Sequence, residues 1–225
     1  MDEALLLFSF YFLFYLVALV ASLVNYKKFV DTPLRFFPLL IAYTLFNEVL
    51  GYFIINYEEY SFFDEEAYNW HNVIIYNIYH LVFLGYIFWL YYKMVLNDRD
   101  KKMIKIGTLV TFLSYGVSVF FQDPFHSNLF YADCVGCAMT LMSITLHFKQ
   151  IKGTGRGVNQ FNLMVWINGG LLVFNLFFPF YILNGYLNVE FYLEYHLRQI
   201  LWAVISVMYG LFTIGFIISK RSAFR

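Results

Sequence analysis

Apolar residues recur along this chain in runs of about twenty, separated by short polar breaks, not in the one-sided i, i+3, i+4 pattern of a soluble amphipathic helix. The runs fall at about 4–25, 36–57, 73–95, 106–122, 129–148, 163–183 and 191–219. Each is too long and too evenly apolar for the alternating strands of an outer-membrane barrel. In lipid every backbone amide must find its partner within its own segment, so each run is predicted to be a transmembrane helix. No stretch between runs is long enough for a soluble domain. The expected fold is therefore all-α: a single polytopic membrane bundle of seven transmembrane helices over 1–225. The first run opens on Asp2 and Glu3 in place of basic residues, and no small-x-small cleavage site precedes Tyr26, so it is read as a retained helix.

The placement of charge gives the orientation. Of the 15 Lys and Arg residues, all but Arg198 fall on one side of the predicted spans: Lys27, Lys28 and Arg35; Lys93 to Lys105; Lys149, Lys152 and Arg156; Lys220, Arg221 and Arg225. The opposite side carries the acidic residues, among them Glu58, Glu59, Asp64, Glu65, Glu66 and Asp123. Short loops rich in Lys and Arg stay inside, so the amino terminus is expected outside and the carboxyl terminus in the cytoplasm, in the cell's inner (cytoplasmic) membrane. Composition agrees: 61% of residues are hydrophobic and 13% charged, against about 25% charged in a soluble domain. A formal net charge of zero and the lack of a basic stripe argue against a nucleic-acid partner. Membrane lipids are the expected partners, with a protein partner or a second copy of the chain open as well. The external 58–72 segment, acidic and threaded with aromatic rings, reads as an interfacial segment or as a cap over an external pocket. The glycine-rich 152–157 connection lacks Walker spacing and follows no strand, so it reads as a connector.

A charged group at the centre of a membrane helix costs about 2.5–3.5 kcal/mol, so each one needs a partner or a purpose. Glu48, Asn77, His80, Asp133, His196 and Arg198 all fall in the outward halves of their predicted spans, although those spans do not all run the same way. The inner halves offer little beyond Asn168 and His147. That bias predicts an outward polar pocket with these six as ligand-binding candidates, and with Glu48, His80 and His196 converging. His80 and His196 with Glu48 or Asp133 are the candidate metal ligands. The structural alternative is polar glue between helices, including an in-helix pair between Glu194 and Arg198. Cys134-x-x-Cys137 lies inside a span beside Gly136 and Ala138, and is read as a close helix approach in preference to a redox pair. Asn168-Gly-Gly170 and Pro179 are positions at which the sixth helix can kink or break.

The segments Phe46-Asn-Glu-Val-Leu-Gly-Tyr52 and Tyr76-Asn-Ile-Tyr-His-Leu-Val-Phe83 resemble a family of small bacterial seven-span proteins of about this length. That likeness covers mainly spans two to five and implies a fold without a function. Such relatives carry a glutamate where this chain has Phe83 or a neighbour, so no two-carboxylate mechanism carries over. The chain is also similar, more distantly, to seven-span metal hydrolases of the alkaline-ceramidase and progestin-receptor type. That resemblance implies a zinc-dependent lipid hydrolase, although the paired histidines late in the bundle are missing, with Ile200 four residues after His196. Three functions follow as expectations. The first is a receptor-like or accessory protein that binds a small ligand, lipid head group or ion. The others are a metal-dependent lipid hydrolase and a proton-coupled transporter with Glu48 as carrier.

Overall fold

The computed structural model describes residues 3–63, 72–153 and 159–221, with backbone alone over 3–10 and at Glu58. The readings that rest on Asp2, 64–71, Arg156 and Arg225 lie outside these residues, as does most of the 152–157 connection. The described chain is all-helical: α1 (Glu3–Val24), α2 (Phe37–Asn56), α3 (Val73–Met94), α4 (Asp98–Ser118), α5 (Phe130–Gly153), α6 (Leu163–Leu187), the short α7 (Val189–Glu194) and α8 (Leu197–Ile218). Four helical stretches, Pro33–Asn56, α3, α6 and α8, are long and apolar enough to cross a bilayer, which makes this a membrane protein.

Several boundaries differ from the sequence-based expectation, each for a local reason. α4 starts at Asp98, well before 106, because the Asn97 side chain accepts from the Arg99 amide at 2.9 Å. Asp98 and Asp100 then sit favourably in the first turn. Charge at that start makes the sequence look like loop. α6 runs unbroken through Asn168-Gly-Gly170 and Pro179. The expected last span is instead two helices, because His196 takes a left-handed backbone at φ 48° between α7 and α8. Glu194 and Arg198 therefore stand on different helices and are not an in-helix pair.

α8 packs on α6 and α1, α5 on α4, α6 and α3, and α2 between α1 and α3. Small residues permit the closest of these approaches. A Cβ on Gly170 of α6 would stand 2.9 Å from the Met208 carbonyl oxygen of α8, and one on Gly136 of α5 would meet Leu84 of α3 at 2.6 Å. The second contact is why small residues surround the two cysteines, whose thiols are both free.

The two ends of the bundle are stitched differently. At the end bearing the described basic residues other than Arg198, Lys28 Nζ donates to the Phe216 and Ile217 carbonyls at 3.2 and 2.7 Å, covering the carboxyl terminus of α8. Arg221 pairs with Asp31, and Gln150 ties α5 to the α3–α4 turn through Leu96 N and Met94 O. At the other end Asn72 donates to the Gly51 carbonyl and Tyr186 accepts from Asn128. There His126 lies 2.6 Å from Asp123 and holds that exposed carboxyl below its ordinary range.

Candidate functional site

A cavity of about 350 Å³ opens at this second end, between α1, α2, α3, α6, α7 and α8. Its walls are mostly aromatic, and its ionisable lining side chains besides the tyrosines are Glu48, His80 and Arg198. Glu48 stands on the cavity side of α2, where Tyr11 of α1 and Tyr76 of α3 donate to its Oε2 at 3.4 and 3.3 Å. Gly51 leaves room for the Tyr76 hydroxyl, which would lie 2.6 Å from a Cβ there. Thr44, one turn deeper, bonds its own Leu40 carbonyl and the Tyr79 hydroxyl, each at 3.0 Å.

His80 is one turn past Tyr76 on α3. Its Nδ1 lies 2.9 Å from Asp133 Oδ1 of α5, and the Tyr115 hydroxyl of α4 donates to the same oxygen. With Tyr115 donating, the carboxylate is the acceptor and His80 Nδ1 the donor, which assigns Nε2 to the cavity. Phe178 packs edge-on against the imidazole with centroids 5.4 Å apart, further fixing the ring. Asp133 Oδ2 is buried without a partner among the described residues. Asp133 therefore stands behind the cavity wall as a positioning group for His80. Arg198 enters from the first turn of α8, its guanidinium 5.3 Å over the Trp202 ring.

Of the six candidates, the structure brings Glu48, His80 and Arg198 to the cavity and sets Asp133 one contact behind. Asn77 and His196 are placed elsewhere. Asn77 is buried and its amide is spent on the α4–α5 connection: Nδ2 donates to the Pro124 and Ser127 carbonyls at 2.8 and 3.1 Å, and Oδ1 accepts from the Leu129 amide at 3.1 Å. His196 is exposed at the α7–α8 break, because its left-handed backbone turns it off the face that a continuous helix would have given it. The expected convergence of Glu48, His80 and His196 thus holds for the first two only. Among the described residues no three His, Cys, Asp or Glu side chains come together as a metal-holding set. The half of the bundle nearer the basic end has its own polar group, in which Tyr91 donates to Asn168 Oδ1 and Asn168 Nδ2 to His147 Nδ1, each at 2.8 Å. All three are buried, and the group closes on itself as glue between α3, α5 and α6.

Sequence reasoning missed Tyr11, Tyr115 and Trp202. Aromatic residues make up 23% of the chain, so no ring stands out by type. The sequence signal that marks part of the wall is spacing: Thr44, Tyr76 and Tyr192 lie four residues from Glu48, His80 and His196, and all three line the cavity.

Asn77→Ala is expected to lower stability by about 1–3 kcal/mol. It strands two loop carbonyls and an amide at a buried site. Thermal unfolding in detergent and faster amide exchange over 123–129 would register the loss, and unchanged exchange there would contradict it.

The chain shows no significant similarity to any family model, curated protein or solved structure.

Proposed function

We propose that this chain is a seven-span protein of the cell's inner membrane, amino terminus outside, that binds a small polar ligand in an outward-opening cavity and acts as a receptor-like or accessory protein. The observation that carries the ligand reading is a roomy aromatic cavity into which Glu48, His80 and Arg198 all project. A bundle needing only internal glue would close such groups on one another, as Tyr91, Asn168 and His147 do.

The span count rests on α1, α4 and α5 in addition to the four apolar stretches. They have 22, 21 and 24 residues, or roughly 31–36 Å of helix at 1.5 Å per residue against a hydrocarbon core of about 30 Å, with the charged 98–105 start of α4 at the membrane face. α4 and α1 turn apolar side chains such as Leu109, Leu113, Val17 and Val20 outward, as a lipid-facing surface requires. α7 then lies at the external surface. With such short inner loops, a receptor of this size passes its signal through a partner protein.

A second reading, proton-coupled transport, draws on the Tyr115–Asp133–His80 chain, which ends at the cavity. The hydrolase reading gains no ligand set from the described residues.

Topology is tested by reporter fusions. Those after Arg35, Lys102, Arg156 and Arg225 should report cytoplasm, and those at Glu65 and Ser127 the exterior. Reversed signals, or an even number of crossings, would overturn the arrangement.

A further inference from the structure

A carboxyl and a guanidinium share the cavity without meeting. Glu48 is held by the hydroxyls of Tyr11 and Tyr76, both on Oε2, so Oε1 keeps its acceptor capacity. Arg198 is held by Trp202, whose ring stacks on Tyr11 with centroids 5.6 Å apart and planes at 15°. Among the described residues Glu48 and Arg198 form no ion pair; Arg198 instead keeps its place at the indole. Arg198 is exposed at the mouth, yet opposite charges still attract across the cavity, and an arginine stem is long enough to bend toward its partner. The cation–π contact on Trp202 opposes that collapse.

The separation has a direction. Glu48 lies eight residues inside the Asn56 end of α2, about 12 Å of helix rise. Arg198 is the second residue of α8, at the same end of the bundle. The cavity therefore has an acceptor at depth and a planar donor fork nearer the mouth. His80 offers one more nitrogen to the space, and the tyrosine and phenylalanine walls supply π-faces that suit an ammonium.

We propose that the cavity binds a zwitterion of the phosphoethanolamine type, its ammonium on Glu48 and its phosphate on Arg198. This rests on the outward-cavity reading and names the ligand class for it. A free zwitterion and a lipid head group share this chemistry. Guanidinium suits phosphate because two parallel N–H donors match two oxygens.

The test is calorimetric titration of the purified full chain in phosphatidylglycerol nanodiscs with phosphoethanolamine, ethanolamine or inorganic phosphate. Phosphoethanolamine should bind roughly 10- to 100-fold more tightly than either half, the gain of adding one charge-assisted contact to the other. Glu48→Gln and Arg198→Gln should each remove most of that gain. Repeating the titration in phosphatidylethanolamine nanodiscs separates the sources. Heat that disappears there marks a lipid head group, and heat that persists marks a soluble ligand. The proposal fails if either half binds as tightly as the whole, if phosphoethanolamine gives no heat in phosphatidylglycerol, or if both folded variants bind like the parent. The wild-type comparison decides the matter even where a variant does not fold. External thiol labelling at Ile205→Cys, on the cavity wall, is the control. A labelled cavity that ignores phosphoethanolamine overturns this ligand class alone, whereas an unlabelled one overturns the outward cavity with it.

Discussion

Asp133→Ala is expected to be the most damaging single substitution at the cavity end of the bundle, lowering stability by about 3 kcal/mol or more. Asp133 is buried, and its Oδ1 accepts from both Tyr115 and His80. Truncation takes the shared acceptor from a phenol and an imidazole N–H behind the cavity wall. It also frees the His80 ring to turn, so the cavity loses a fixed nitrogen together with stability. Asp133→Asn should be milder, since the amide oxygen still accepts from Tyr115 while the charge that strengthens the His80 contact is gone. The measurement is thermal unfolding in detergent of Asp133→Ala, Tyr115→Phe and the double variant. A coupling near zero between the two sites would show that the Tyr115–Asp133 bond contributes nothing to the fold.

Glu48→Gln should do the reverse, sparing the fold and weakening binding. The amide oxygen can still accept from Tyr11 and Tyr76, so both hydroxyls keep a partner and unfolding should shift little. The charge is lost, and with it the attraction for a cationic group, which should weaken binding roughly 10- to 100-fold. Glu48→Leu serves as the contrast: it removes the carboxyl acceptor from both hydroxyls and should destabilise as well. Binding by Glu48→Gln at parent affinity would reduce Glu48 to polar glue. A Gln variant that aggregates would mean that the negative charge itself holds the helices together.

How far the sequence could be read depended on which physical rule was in play. The cost of charge in lipid singled out Glu48, His80, Asp133 and Arg198, and all four gather in or directly behind one cavity. The same rule is silent on what satisfies a polar group. Asn77 passed it equally well, yet its partners are loop carbonyls forty-seven and fifty residues away in sequence. His196 was misplaced because a left-handed residue is expected at Gly or Asn, and Tyr195-His196-Leu197 gives no such signal. Four apolar spans, in α2, α3, α6 and α8, were legible from length and composition, but in α4 the charged first turn hid a helix start. The aromatic wall was not legible. In a chain this rich in rings, only the packing shows that Trp202 lies between Tyr11 and Arg198.

The central claim is that the cavity is water-filled and opens outward, and paired cysteine labelling tests it most directly. Ile205 lines the cavity, while Val207, two residues along the same helix, is 51% exposed on the outer surface. Thiols react as thiolates, which form in water and not in hydrocarbon. In a chain with Cys134 and Cys137 replaced by alanine, a small charged, membrane-impermeant thiol reagent should label Ile205→Cys from outside the cell. It should leave Val207→Cys unmodified. Labelling of Ile205→Cys only from the cytoplasmic side, or of neither position from either side, would contradict the account.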